Sequence, residues 1–396
     1  MGASERILSA LERIRPFSTP PGRLDAPMRQ VVRARDGVHL VVRRRPPAGP
    51  GAGEGRVVML LHGLAANACA YDFPGRSLSG YLARRGYDVW MPELRGHGES
   101  ERPHLRWTFT DYLQQDLPAI VEHIRAESGT REIAWVGHSM GGILLMCWGI
   151  LHPSDPVTRG IAVGSALDYR VGATGFRTLL RLRPLLERLP ALPYGTLAHL
   201  LSPLNGRIRA LDTFNVWPEN IEPENTRRLH AGCFHTVPVS LLASLATTFE
   251  PGGLRTTGGF RFLEHTGDYR IPTLLIGGSK DAQVAPEAIV HTARLLRASV
   301  RLFGRAHGQP TDYGHWDLLI GRRAPEEVWP VLEHFLRSVP RPGEVGRGKS
   351  AEGEEGQTHA TGGDAGPSRP GAGAETGGRA EAGTRPKAGP NQTSSK

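Results

Sequence analysis

The chain has 396 residues, of which 39% are hydrophobic and 22% charged, and its formal net charge is +9. That length suits one large domain and a tail. The arginines are scattered and no basic patch is interleaved with aromatic residues, which disfavours nucleic acid as a partner. Cys69, Cys147 and Cys233 lack metal-ligand spacing, Cys147 lies in an apolar run typical of a core, and the set favours a reduced, cytoplasmic setting.

Residues 1–27 form an N-terminal extension. Charges run throughout Met1 to Phe17, so no secretory signal is indicated. Ser4 to Arg15 places four apolar residues on one helical face: Ile7, Leu8, Leu11 and Ile14. Such a helix either packs on the body of the protein or makes a weak contact with a membrane surface, so a membrane-peripheral location stays open.

Residues 28–167 alternate apolar strands with helices. The strands are predicted in a hairpin over Val31–Val42 and at Val57–Leu61, Tyr87–Met91, Ile133–Val136 and Gly160–Gly164. The helices are predicted at Ser77–Arg85, Asp111–Ala126 and Ile143–Trp148. This alternation predicts an α/β fold, a mostly parallel sheet flanked by helices.

Residues 168–270 interrupt the alternation and are rich in leucine, arginine and proline. Short helices are predicted at Arg177–Arg188, Tyr194–Leu204 and Val239–Phe249. Because strands precede and follow this segment, it is predicted to be an inserted helical lid. Its leucines either face the cleft above Ser139 or pack the lid on the core: Leu179, Leu180, Leu182, Leu185, Leu186 and Leu189.

Residues 271–340 return to the first pattern. Strands are predicted at Thr273–Gly278 and Val300–Phe303, and helices at Pro286–Leu296 and Pro325–Val339. From 341 to 396 large apolar residues almost vanish. That tail cannot bury a core and is predicted to be disordered.

One turn lies between a predicted strand and a helix: Gly137-His138-Ser139-Met140-Gly141. A serine at the tip of so sharp a turn is strained, and glycines two residues before and after it relieve the crowding. The pattern predicts that Ser139 is a nucleophile, while His138 is more simply a structural residue of the turn. The N–H groups of Met140, at the start of the helix, and of Leu64 are the predicted oxyanion donors. Leu64 follows His62 and Gly63 at the end of its strand.

A nucleophilic serine needs a histidine to accept its proton and a carboxylate to orient that histidine. His315 follows the last predicted strand, and Asp281 follows the strand before it, where parallel sheets collect functional residues. Asp168, after the preceding strand, remains the rival acid. Asp312 and Asp317 flank His315, but neighbours in sequence usually point apart. His97 could line the cleft, but the simpler interpretation is that it is a structural residue of its turn. No metal-ligand motif is present, and the predicted chemistry requires no cofactor.

Four pieces of the chain, in order, resemble the α/β-hydrolase superfamily. They are His62-Gly63-Leu64, Arg95-Gly96-His97-Gly98-Glu99-Ser100, Gly137-His138-Ser139-Met140-Gly141, and the loops that carry Asp281 and His315. The resemblance covers roughly residues 31 to 339. It implies a serine hydrolase in which Ser139, Asp281 and His315 form a catalytic triad.

The C-terminal motifs narrow the resemblance. Asp312-Tyr313-Gly314-His315-Trp316-Asp317, Ile320-Gly321 and Ala324-Pro325-Glu326-Glu327-Val328-Trp329-Pro330 are similar to two groups. One is the acid lipases of the lysosomal and gastric type, and the other is the hydrolases related to polyhydroxyalkanoate synthases. The resemblance implies a small-molecule carboxylic ester with an apolar acyl chain as substrate. The synthases use cysteine where this chain has Ser139, which favours hydrolysis. The alternatives are an acyltransferase with the same triad and a non-catalytic binding protein; the oligomeric state is left open.

Overall fold

The computed structural model describes residues 27–52, 54–154, 157–177 and 188–338. Several predictions therefore lie outside the described residues. They concern the Ser4–Arg15 helix, the tail from 341 onward, most of the Arg177–Arg188 helix, and Leu179, Leu180, Leu182, Leu185 and Leu186. Within the described ranges no helix is long and apolar enough to cross a bilayer.

An eight-stranded sheet forms the centre of the molecule. Its strands are β1 (Met28–Arg33), β2 (His39–Arg45), β3 (Arg56–Leu61), β4 (Tyr87–Glu93), β5 (Ile133–His138), β6 (Val157–Val163), β7 (Thr273–Gly278) and β8 (Ser299–Phe303). The order across the sheet is β1-β2-β4-β3-β5-β6-β7-β8. β1 pairs with β2, and β2 with β4, in antiparallel fashion, whereas every later pairing is parallel. The predicted mostly parallel sheet is confirmed.

Helices cover the sheet. They are α1 (Leu78–Ala83), α2 (Leu117–Ser128), α3 (Met140–Leu151), α4 (Tyr194–Leu201), α5 (Pro223–Gly232), α6 (Val239–Ala246), α7 (Pro286–Leu296) and α8 (Trp329–Ser338). Shorter helical turns occur at Phe109–Asp111, Arg209–Asp212, Asp317–Ile320 and Ala324–Glu327, and a π-helical stretch at Tyr112–Asp116 leads into α2. Turns of 3₁₀-helix occur at Ala68–Ala70, Ser202–Leu204, Pro218–Asn220, Thr247–Phe249, Phe262–Asp268 and Arg305–His307.

Burial explains why the central strands are continuously apolar. Val58, Met59 and Leu61 of β3 are fully buried, as are Trp135 and Val136 of β5. A strand covered by helices on both faces needs apolar residues on both sides of the pleat. At the edge of the sheet the pattern alternates instead: in β1, Val31 is exposed and Val32 is buried.

The segment between β6 and β7, residues 164–272, is called the helical insertion below. It contains α4, α5 and α6, and two-residue strands at Ala191–Leu192 and Val237–Pro238 that pair with each other. α5 was not predicted, because its sequence PENTRRLHAG offers one large apolar residue, Leu229, and so lacks a helical hydrophobic pattern.

The predicted final helix over Pro325–Val339 is wrong in one respect, since it is broken into Ala324–Glu327 and α8. The break falls at Val328, just before Trp329 and Pro330. A proline inside a continuous helix would remove a hydrogen bond and clash with the preceding turn, so the second helix starts afresh there.

The cysteines correct one expectation. Cys69 and Cys233 form a disulfide across 164 positions of the sequence, with Cα atoms 5.9 Å apart. The expectation of reduced cysteines is therefore wrong for this pair. Cys147 is a free thiol buried in α3, in agreement with its predicted place in the core.

Candidate active site

The turn after β5 holds Ser139 in a conformation that few residues adopt. Its φ is +52° and its ψ −118°. A Cβ on Gly137 would lie 2.2 Å from the carbonyl oxygen of Gly141, and one on Gly141 would lie 2.1 Å from that of Leu61. Both contacts are impossible for a larger residue. The Ser139 N–H donates to the carbonyl of Val163 at 2.8 Å, which ties the turn to the neighbouring strand.

His315 and Asp281 meet at the same edge of the sheet. The ring nitrogen Nδ1 of His315 lies 2.7 Å from Asp281 Oδ2, and their side chains are 1% and 0% exposed. A carboxylate can only accept, so Nδ1 carries the hydrogen and Nε2 is left as an acceptor. The other carboxylate oxygen, Oδ1, accepts from the N–H groups of Gln283 and Val284 at 2.8 and 2.9 Å. These bonds fix the carboxylate, and through it the ring.

Asp168, the rival acid, has other partners. Its carboxylate accepts from the Arg170 guanidinium through two bonds of 2.8 Å and lies 3.4 Å from His291. The hydrogen bonds from Arg170 lower the pKa of Asp168 below its usual value. The structure therefore brings Asp281, and not Asp168, to His315.

His138 packs directly against His315. The two rings are 4.6 Å apart between centroids, and His138 Nε2 lies 3.2 Å from the carbonyl oxygen of His315. Burial lowers the pKa of His138 well below its usual range. A neutral ring that donates to this carbonyl supports the His315 loop without placing a second positive charge beside it.

Asp317 anchors the same loop, although sequence reasoning set it aside. Its carboxylate accepts from the N–H of Gly314 and from the N–H of Trp217, all at 3.0 Å. It also accepts from Asn220 Nδ2 at 3.0 Å. Burial raises the pKa of Asp317 to about 6. Residues 217 and 220 belong to the helical insertion, so one buried carboxylate joins the insertion to the loop of His315. The signal in the sequence that could have indicated this role is the position of Asp317, two residues after a histidine that follows a glycine.

The turn after β3 lies against Ser139. His62 holds it: Leu94 N–H donates to His62 Nε2, and His62 Nδ1 lies 2.9 Å from the carbonyl of Gly63. Burial, with His97 nearby, lowers the pKa of His62 to about 3. A Cβ on Gly63 would lie 3.0 Å from that of Ser139. The N–H groups of Leu64 and Met140 make no hydrogen bond to the described residues, and both residues line the cavity beside Ser139.

His97 lies close to this turn but away from the cavity lining. Its ring is 4.8 Å from that of His62, and burial lowers its pKa to about 4. Its Nδ1 bonds the carbonyl of Arg95 at 2.9 Å. His97 thus holds its own turn, as the simpler interpretation of the sequence had it.

A cavity of about 330 Å³ opens at Ser139 and His315. Ser139 Oγ makes no hydrogen bond with the described residues; catalytic hydrogen bonds are often completed only when substrate is bound. The sheet side contributes Gly63, Leu64, Ala65, His138, Ser139, Met140, Ile143, Gln283, His315 and Trp316. The insertion contributes Tyr169, Phe176, Leu192, Tyr194, Phe214, Asn215, Phe234, Val237, Val239, Leu242, Ala243, Leu245, Ala246, Thr248, Phe249 and Leu254. Leu189 is exposed and does not line this cavity.

The disulfide fastens the insertion to the turn that follows β3. Cys69 lies just beyond that turn, and Cys233 follows α5 and precedes the cavity residue Phe234. Beside the disulfide, His235 N–H donates to the carbonyl of Ala65 at 2.7 Å. The insertion wall of the cavity is therefore attached here as well as at Asp317.

Comparisons with known proteins bear on the family and the fold of the chain. A family described as "Serine aminopeptidase, S33" matches residues 54–229. The sheet order, the strained serine turn and this match together indicate one fold. The chain has the α/β-hydrolase fold.

Single proteins that are similar to this chain include lipases and an esterase. Lipase member N of Mus musculus is 23% identical over 352 residues, which cover 77% of this chain and 86% of that protein. Gastric triacylglycerol lipase of Homo sapiens is 33% identical over 120 residues, 27% of this chain and 30% of the lipase, so the chain spans under a third of that relative's length. An esterase from Exiguobacterium antarcticum has the same fold, with a TM-score of 0.54 and 15% identity over 78% of this chain and 100% of the esterase.

Proposed function

We propose that this chain is a serine hydrolase that cleaves carboxylic esters with an apolar acyl group, through an acyl-enzyme on Ser139. One observation carries the proposal: a strained, cavity-facing serine shares an apolar cavity with a histidine bonded to a buried aspartate. Those are the groups that acyl transfer from an ester requires.

In the proposed reaction Ser139 Oγ attacks the ester carbonyl while His315 Nε2 takes the hydroxyl proton. Asp281 holds the ring through Nδ1 and stabilises its positive charge. The N–H groups of Leu64 and Met140 donate to the oxyanion, where each donor typically contributes about 3 to 4 kcal/mol. His315 then gives its proton to the leaving alcohol. Water, deprotonated by His315, attacks the acyl-enzyme and releases the acid.

The cavity supports an apolar acyl group over a charged one. Of its described lining residues none is an aspartate, glutamate, lysine or arginine. The matched family is described as an aminopeptidase, and binding of a peptide's ammonium group in a closed site needs a carboxylate. Burial of an acyl chain against leucine and phenylalanine contributes about 0.8 kcal/mol per methylene instead. The names of two similar proteins, a triacylglycerol lipase and an esterase, refer to ester substrates.

A covalent probe tests the proposal. A fluorophosphonate should label the protein, and mass spectrometry should place the adduct on Ser139. Ser139→Ala and His315→Ala should each lower the turnover of p-nitrophenyl esters by roughly 10⁴- to 10⁶-fold, and the double variant should lose little more, because the residues act as a unit. Labelling at another serine, or full esterase activity in Ser139→Ala, would overturn the assignment.

A further inference from the structure

Exposed apolar side chains are concentrated in one part of the helical insertion. Of the ten large hydrophobic side chains that are exposed in the described ranges, seven lie between Leu189 and Leu211. The other three are scattered on β1 and β8. Single exposed leucines are ordinary, whereas a continuous group of them marks a contact surface.

α4 and its 3₁₀ extension place these leucines on the outside. The exposed positions follow helical spacing and are called the outer leucine face: Leu197, Leu200, Leu201 and Leu204, exposed by 41 to 67%. The buried positions have the same spacing and are small or polar, namely Gly195, Ala198 and Ser202. A helix of a water-soluble domain normally has the reverse arrangement. Ile208 and Leu211, at the next helical turn in the chain, are also exposed.

Arginines border this face; the same segment has no carboxylate, and Arg209 pairs with Glu219 outside it. From Arg188 to Leu211 the sequence has three arginines and no aspartate or glutamate. Arg207, Arg227 and Arg228 line one shallow surface depression together with Ser202 and Pro203, the residues that precede Leu204. One acid, Glu224, is present there and pairs with Arg228 at 2.5 Å.

We propose that the outer leucine face docks on the surface of an anionic lipid bilayer. The leucines would enter the boundary between headgroups and acyl chains, and the neighbouring arginines would lie among the lipid phosphates. Charge selects this occupant over a second copy of the chain. In a two-fold dimer through this face the arginine clusters of both copies would approach each other, which opposes association.

The docking surface is separate from the catalytic groups. None of the four leucines lines the cavity, but Leu192 and Tyr194, immediately before them, do. Docking would therefore place the insertion wall of the cavity close to the lipid. The proposal does not depend on the proposed ester hydrolysis, because binding to lipid is measured without turnover.

The experiment is sedimentation of the full chain with vesicles. The unmodified chain should bind vesicles of equal parts phosphatidylglycerol and phosphatidylcholine more tightly than vesicles of phosphatidylcholine alone. Leu200→Gln/Leu201→Gln/Leu204→Gln should weaken binding by roughly tenfold or more. Glutamine keeps the helix propensity of leucine, so α4 should persist. Arg207→Gln/Arg227→Gln should reduce binding to the anionic vesicles by roughly fivefold per charge.

A matched control changes three equally exposed apolar residues elsewhere: Met28→Thr/Val31→Thr/Val300→Thr. It should bind vesicles as the unmodified chain does. Circular dichroism and Tm should be parental in every variant used. The proposal is overturned if the unmodified chain leaves the anionic vesicles unbound, or if the triple leucine variant binds like the control. It is also overturned if deletion of residues 1–26 abolishes binding that the leucine variant retains, or if the leucine face proves on gel filtration to hold two copies together.

Discussion

α3 and α4 border the same cavity, but most apolar side chains of α3 are buried and the leucines of α4 are exposed. α3 is buried on nearly every side, with Met140 and Ile143 facing the cavity. α4 sends its leucines outward, while Tyr194, Gly195 and Ala198 lie against the protein. The sheet side thus fixes its groups by backbone geometry and dense packing. The insertion side is joined to it by the disulfide, by Asp317 and by further hydrogen bonds across long sequence separations, so the two sides should respond differently to mutation.

The largest effect is expected from a change on the sheet side. Asp281→Asn should lower kcat by ~10⁴-fold, because replacing the carboxylate that orients the histidine has that effect in a serine protease with the same type of triad. Asp168→Asn is the matched control and should stay within a few fold of the parent, since Asp168 bonds Arg170. Steady-state kinetics on a p-nitrophenyl ester measure both. The reverse ranking would move the acid to Asp168.

The second-largest effect is expected from acid, which should destabilise the sheet side. In the folded chain the pKa of His62 is about 3 and that of His97 about 4, so both rings stay neutral down to those pH values. In the unfolded chain the same histidines bind protons once the pH falls below about 6.5. The free energy of unfolding is therefore highest above pH 6.5 and decreases as the pH falls toward 4. At pH 5 each of these histidines costs on the order of 2 kcal/mol. Tm measured from pH 7.5 to 4.5 should fall less steeply in His97→Gln, while the exposed His307→Gln should follow the parent.

The attachment between the two sides is tested by Asp317→Asn. An amide in place of the carboxylate would set its NH₂ against one of the N–H donors of Gly314, Trp217 or Asn220. Displacement of the His315 loop should lower kcat about tenfold, since small misplacements of a reacting group are costly. Asp312→Asn is the control, because Asp312 bonds Ser279 and Arg305 rather than the insertion. Equal losses in both variants would contradict a specific role for Asp317.

The smallest effect is expected on the insertion wall. Ala243 lines the cavity on the insertion side, and Ala243→Trp would fill part of the cavity from that side. kcat/KM for long acyl esters should fall by roughly fourfold if one methylene no longer fits, while that for acetate esters should stay near the parental value. A panel of esters with increasing chain length provides the measurement. A uniform loss for all chain lengths would show that the tryptophan disturbs the catalytic groups instead.

The sequence was sufficient for the sheet side because local rules act there. Apolar runs, glycine spacing and loop order predicted that Ser139, Asp281 and His315 lie at one edge of the sheet, with Asp168 left as a rival acid. The insertion escaped those rules. α5 has almost no hydrophobic pattern, and the Cys69–Cys233 pairing depends on a contact between segments 164 positions apart. The role of Asp317 was missed since its partners Trp217 and Asn220 are about a hundred residues away.

The disulfide also decides what a protease would leave behind. Arg207 and Arg209 are exposed, and trypsin cleaves after arginine. A cut at Arg207 separates a fragment with Cys69 and Ser139 from one with Cys233, Asp281 and His315, yet Cys69–Cys233 still joins them. The nicked protein should migrate as one band on a non-reducing gel and as two after reduction. Serine and histidine would then belong to different polypeptides of one covalent molecule, and their separation would require a reductant as well as a protease.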